Sequence, residues 1–114
     1  MDITNIISRY YKVTNHPTIT HLRMDLYYSK GGTNVWNSKT EPRGYYMSIS
    51  PVKRERGTET YVQGTGLKRC IIEVQRKTKK KEEEAISFFN SYILNFYKAH
   101  FSSYKIDIDS CEVR

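Results

Sequence analysis

Residues 44–63 read GYYMSISPVKRERGTETYVQ, and this stretch decides the fold. Tyr45, Met47 and Ile49 alternate with Tyr46, Ser48 and Ser50, the period of a strand with one apolar face. Pro51 cannot donate to a ladder, so it marks a strand end or an edge. The charged run Lys53–Gly57 reads as a hairpin tip ending in glycine, and residues 58–63 as the returning strand. Upstream, residues 18–28 (TITHLRMDLYY) alternate in the same way. Leu22, Met24, Leu26 and Tyr28 fall on one side; His21, Arg23, Asp25 and Tyr27 fall on the other. These segments predict an antiparallel meander.

Outside the meander the signals change. Residues 2–12 (DITNIISRYYK) place Ile3, Ile6, Ile7, Tyr10 and Tyr11 on one helical face, and Asp2 is a suitable cap. A short N-terminal helix is expected there, with a strand as the rival because Ile and Tyr favour sheets. Asn15-His16-Pro17 is a turn. Residues 33–43 carry Thr33, Asn34, Asn37, Ser38 and Pro42 and read as a loop, with Val35-Trp36 as an apolar plug. Gly64-Thr65-Gly66 punctuates a change to helix, with Thr65 as N-cap. Leu67, Ile71, Val74, Ala85, Phe88 and Tyr92 then follow a 4-3 rhythm. A helix over 66–98 would run about 48 Å at 1.5 Å per residue. The tail predicts an edge strand through Tyr104, Ile106 and Ile108. The expected class is α+β: an antiparallel sheet of three to five strands packed against one long C-terminal helix, with a short N-terminal helix.

A chain of 114 residues is expected to form one domain with a modest core. Mean hydropathy is −0.69, and ten tyrosines supply much of the buriable surface. Cys70 and Cys111 lack metal-site or redox spacing. Met1–Val13 has no continuous apolar region of a secretory signal, and no apolar run spans a bilayer. A soluble, cytoplasmic protein with reduced thiols is expected, with no membrane partner.

Charge is the strongest functional signal. The formal net charge is +7, and the segment 53–81 accounts for all of it. Its basic residues are Lys53, Arg54, Arg56, Lys68, Arg69, Arg76, Lys77, Lys79, Lys80 and Lys81. Converging into one electropositive strip, they would bind a polyanion, nucleic acid first. The competing account is a solvated helix face balanced by Glu82, Glu83 and Glu84. Tyr46 and Tyr61, with Tyr27, would share the outer sheet face as a stacking platform for unpaired bases. Cross-strand tyrosine pairing in an ordinary sheet is the plainer account. Phe88, Phe89, Tyr92, Ile93 and Phe96 offer a helix face for a homodimer.

Catalytic signals are weak. His16, His21 and His100 have no metal spacing with the cysteines. Gly64-Thr65-Gly66 lacks a dinucleotide or Walker signature. Asp107 and Asp109 suit a solvated edge better than a metal. A non-enzyme without cofactors is expected.

Several stretches carry a resemblance. They are Thr14-Asn15-His16-Pro17, Lys30-Gly31-Gly32, Arg43-Gly44-Tyr45-Tyr46 with Pro51-Val52, Thr65-Gly66-x-Lys68, Glu73-Val74-x-Arg76-Lys77 and Lys79-Lys80. Over roughly residues 12–86 the chain resembles small uncharacterised proteins of plasmids and integrative elements of Gram-positive, clostridial-type bacteria. Such elements carry anti-CRISPR inhibitors of Cas9-type nucleases and accessory proteins of conjugation that bind the transfer origin. The resemblance implies a nucleic-acid or ribonucleoprotein partner: guide RNA, DNA or a Cas9-type complex. A Cas9 channel is itself positive, so a basic inhibitor would bind guide RNA, an acidic outer surface or the assembled particle.

Overall fold

A computed structural model describes residues 3–33, 39–62 and 64–114. The class is α+β: a six-stranded antiparallel sheet and one long helix near the C-terminus. The sheet contains β1 (Ile3–Lys12), β2 (His21–Ser29), β5 (Gly44–Glu55), β6 (Thr58–Tyr61), β7 (Leu67–Glu73) and β8 (Glu112–Val113). A separate ribbon pairs β3 (Gly32–Thr33) with β4 (Thr40–Glu41). Helix α1 spans Lys79–His100. The sheet order is β6-β5-β2-β1-β8, with β7 also on β5. The expected Asp2 cap and the Val35-Trp36 plug, with Asn34, Asn37 and Ser38, lie outside the described residues. No helix among the described residues is long and apolar enough to cross a membrane.

β5 is the spine. One edge pairs with β2 from Gly44↔Ser29 to Val52↔His21. The other edge pairs twice: with β6 from Val52↔Tyr61 to Glu55↔Thr58, and with β7 from Gly44↔Glu73 to Ile49↔Leu67. β6 and β7 are therefore one returning strand interrupted between Val62 and Gly66. The hairpin tip is narrower than the charged run implied. Only Arg56 (φ 39°) and Gly57 (φ 85°) turn, both left-handed, as a type I′ turn requires.

Two expected helical segments are strands. Residues Ile3–Lys12 pair with β2 along their length, with an irregularity between Asn5 and Ile7. That irregularity lets both Ile6 and Ile7 reach the core, which mimics helical spacing. Tyr10 and Tyr11 are both buried because Tyr11 joins the core while Tyr10 lies under arginines on the opposite face. The expected helix over 66–98 begins at Lys79. Its N-cap is Thr78, whose hydroxyl accepts from the Lys81 amide at 3.2 Å. Thr65 instead bonds the Val62 carbonyl at 2.7 Å. Leu67, Ile71 and Val74 fitted a helical rhythm, but a short apolar run does not separate strand from helix. The open edge of β5 recruits it, and the polar residues 75–78 give a helix nothing to bury.

The core lies between one sheet face and α1. Leu22, Met24, Leu26, Tyr28, Tyr45, Met47 and Ile49 meet Ala85, Phe89, Ile93, Phe96, Tyr97 and Phe101. The tail closes the far side of β1. It does so through a Val13–Ile106 bridge and β8, not through one strand, and Ile108 sits in a 3-10 turn (Ile108–Ser110). Arg114 and Ser8 exchange backbone bonds at 2.7 and 3.0 Å.

Gly44 shows how closely β7 packs. A Cβ there would stand 2.2 Å from the Ile72 carbonyl oxygen. At Gly57 a Cβ would meet nothing within 4 Å, so only the positive φ matters. Urea titration should show Gly57→Ala losing about 1 kcal/mol. Gly44→Ala should lose at least about 2 kcal/mol, because the clash is with backbone. Equal losses would contradict this pairing of β5 with β7.

Candidate nucleic-acid interface

The ten basic residues do not form one strip. Lys53, Arg54 and Arg56 lie at the hairpin end of β5. Arg76, Lys77, Lys79, Lys80 and Lys81 lie where β7 hands over to α1, beside Gly44 at the opposite end. A twelve-residue strand separates the two groups by about 36 Å, and the longest dimension of the molecule is 42 Å. Lys68 and Arg69 lie between them on opposite faces, since consecutive strand residues alternate. The expected stacking of Lys68 and Arg69 with Arg76 along one helix is therefore corrected: of the ten, seven fall within the expected 66–98 helix, and four of these (Lys68, Arg69, Arg76 and Lys77) precede the helix observed.

At the hairpin end two of the three cations are paired, and Arg56 is exposed without a carboxylate partner among the described residues. Arg54 Nη1 donates to Glu112 at 2.7 Å, and its Nε lies 3.9 Å from Glu59. Lys53 Nζ is 3.4 Å from Glu55. The Arg54 contacts join a network on the sheet face away from α1. Arg23 donates to Asp25 at 3.0 Å, to Glu59 at 2.7 Å and to the Tyr61 hydroxyl at 2.6 Å. The buried Ser8 hydroxyl donates to Asp25 at 2.6 Å. The guanidinium groups of Arg54, Arg114 and Arg23 stand 4.2, 5.4 and 5.5 Å from the Tyr10 ring. The alternation of β2 had placed Arg23 and Asp25 outward, but nothing local predicted Glu59 as the partner of Arg23 or Glu112 as that of Arg54.

The β7–α1 corner is different. Lys77 has Glu82 at 3.9 Å and Lys81 has Glu84 at 3.2 Å. Arg76, Lys79 and Lys80 are exposed and, among the described residues, have no carboxylate partner. Arg43 adds a cation, because its Nη1 donates to the Gln75 carbonyl at 3.0 Å and its own carbonyl accepts from Val74 at 3.0 Å. Lys30, which follows the Ser29↔Gly44 pair, belongs to the same end. Arg43 was not among the expected contacts, since it is separated from the basic segment in sequence. Its only signal was its place just before a strand. Lys79, Lys80 and Lys81 occupy the first turn of α1, where the helix dipole disfavours cations and favours an anion.

The tyrosines share a face but not an open platform. Tyr27 and Tyr46 stack at 5.5 Å and 10°. Tyr46 is 3% exposed, its hydroxyl is bonded to Pro42, and burial pushes its phenol pKa up. Tyr61 is 50% exposed, with its hydroxyl held by Arg23. The Tyr46 ring is thus committed to the protein, the Tyr61 ring is half-exposed with its hydroxyl taken, and Tyr27 is partly buried.

Comparison with family models, curated proteins and solved structures finds no match to this chain. The site therefore rests on its own geometry. His16 Nδ1 accepts the amides of Thr18 and Ile19 at 3.1 and 2.9 Å, so it stabilises the turn. Burial lowers the His21 pKa, and nearby Arg54 adds to this. Asp107 accepts from the Asp109 amide at 3.0 Å, which makes it a cap. Cys70 and Cys111 are free thiols. Among the described residues, no group of three His, Cys, Asp or Glu is placed to hold a metal. The expected helix-mediated homodimer loses most of its surface, because Phe89, Ile93 and Phe96 are buried in the core and only Phe88 and Tyr92 remain accessible.

Glu59 carries a pH dependence. Burial raises its carboxyl pKa, but hydrogen bonds from Tyr10, Arg23 and Tyr61 together with the Arg23 charge outweigh burial and lower it. A depressed folded pKa means stability that is fully present above the unfolded value and lost as pH falls through the folded one. The stability of the protein should therefore fall as pH drops below 4.5. In Glu59→Gln the fall should be shallower. An identical pH profile in the variant, followed by urea melts, would exclude Glu59 as a contributor.

Proposed function

We propose that this protein is a non-enzymatic nucleic-acid- or ribonucleoprotein-binding factor of a mobile element, acting by occupancy. The observation that carries this is the β7–α1 corner: exposed Arg76, Lys79 and Lys80 without carboxylate partners, joined by Arg43 and set at the amino end of a 22-residue helix. Cations gathered where the helix dipole repels them cost stability, and a phosphate backbone reverses that cost. The hairpin residues Lys53 and Arg54, spent on internal ion pairs, contribute less.

The leading version is an inhibitor of a Cas9-type defence nuclease that grips exposed guide RNA or the assembled particle. The alternative is a DNA-binding accessory protein that recognises a transfer origin. The fold favours the first. Sequence-specific origin binding needs side chains in a groove, and α1 spends Ala85, Phe89, Ile93 and Phe96 on its own sheet. Its cations cluster in the first turn with the preceding connection, and Lys98 stands apart in the last turn. That arrangement contacts phosphates and reads few base edges.

Arg76→Glu with Lys79→Glu and Lys80→Glu should weaken binding of single-stranded RNA and DNA oligonucleotides more than tenfold, with an unchanged circular dichroism spectrum. The slope of log affinity against log salt should drop by about 2, at about 0.7 per lost phosphate contact. Lys53→Glu with Arg56→Glu should cost far less. Pull-down with guide-loaded Cas9, against duplex origin DNA in gel shifts, separates the two versions. Full affinity and an unchanged salt slope in the triple variant would sink the proposal.

A further inference from the structure

The sheet face away from α1 contains a shallow trough. Its volume is about 280 Å³, and its lining is Tyr27, Ser48, Ser50, Gly66, Leu67 and Lys68. Along this face of β5 the side chains run large, small, small: Tyr46, Ser48, Ser50. The two serines form the floor. Ser48 lies between Asp25 of β2 and Lys68 of β7, and Ser50 lies beside Arg23 of β2. Gly66 keeps the trough wide, since a Cβ there would approach the Ser50 hydroxyl to 3.1 Å. The stacked Tyr27–Tyr46 pair closes one end.

Two features define what fits. First, the hydroxyls of Ser48 and Ser50 have no hydrogen-bond partner among the described residues. They are half-buried on the floor of a concavity, each able to donate and to accept. Second, the trough is electrically balanced. Lys68 is held by Glu41 at 2.6 Å, and Asp25 is held by Arg23 and Ser8. A free phosphate finds no unspent cation there. An uncharged planar ring with polar edges finds an aromatic wall, an apolar lip at Leu67 and two hydroxyls.

We infer that this trough is a nucleobase pocket, which takes one unpaired base of a single-stranded nucleic acid against Tyr27 with its polar edge on Ser48 and Ser50. Because a hydroxyl serves either role, the pocket tolerates different bases, as stacking sites for single strands do. A paired base in a duplex cannot enter. The inference rests on the nucleic-acid reading above, but it uses none of the corner cations Arg43, Arg76, Lys79 and Lys80, and it draws on a different force.

Fluorescence anisotropy with labelled 12-nucleotide strands tests it. One strand carries bases, and the other is abasic with the same number of phosphates. The wild-type protein should bind the base-bearing strand at least about fivefold more tightly. Ser48→Ala with Ser50→Ala should reduce that ratio about threefold while leaving the abasic affinity unchanged. Tyr27→Leu should do the same. The Arg76, Lys79 and Lys80 reversals should weaken both strands and leave the ratio intact. A wild-type ratio of one, or a ratio unmoved by both trough variants, overturns the pocket and leaves the charge-driven reading standing. No binding of either strand overturns both.

Discussion

Both edges of β5 are hydrogen-bonded along most of its length, and the remaining elements take their places from that pairing. β2 on one side fixes the register of the apolar face. β6 and β7 on the other side take up the returning chain as two strands. Gly44 allows β7 to approach closely enough for its last residues to pair, and the chain then has to leave the sheet at that end. The start of α1, and with it the charged corner, is thus set by where β5 begins.

That constraint explains the distribution of charge. Had residues 66–98 formed one helix, Lys68, Arg69, Arg76, Lys77 and Lys80 would have lain along a single rod. Because Leu67–Glu73 is a strand, Lys68 and Arg69 point to opposite faces and the rest gather at the corner. The hairpin cations are carried about 36 Å away by the length of β5. There Arg54 meets Glu59 and Glu112, which arrive from the returning strand and the C-terminal tail, and Lys53 meets Glu55. Charge that is contiguous in sequence is divided in space into a mostly paired pole and a more exposed one.

The two sheet faces do different work. One buries aliphatic and aromatic side chains under α1. The other has no helix over it among the described residues and is instead held together by arginine, carboxylate and tyrosine, with the guanidinium of Arg23 bonded to four partner residues. Such a face keeps polar side chains ordered close to solvent. Small residues within it, at Ser48, Ser50 and Gly66, leave concavities that a hydrophobic core would have filled.

Alternation in residues 21–28 and 44–50 was sufficient to place Leu22, Met24, Leu26 and Tyr28 with Tyr45, Met47 and Ile49 on one face, because a period of two admits no other arrangement once one side is buried. The glycine at 57 marked the hairpin for an equally local reason. The amphipathic run Ala85–Phe96 was legible as helix, since it is long enough for its period to be unambiguous. Ile3–Lys12 and Leu67–Val74 were not legible. Each is a short apolar run whose spacing fits either period, and its state depends on whether a neighbouring edge is open to receive it. The site followed the same division. Sequence supplied the excess of positive charge and the outward direction of Arg23, Tyr27 and Tyr46. Only the tertiary structure decided which cations keep a carboxylate and which face water, because ion pairing is a matter of distance, and the partners of Arg54 and Lys68 lie far along the chain and meet them only across the assembled sheet.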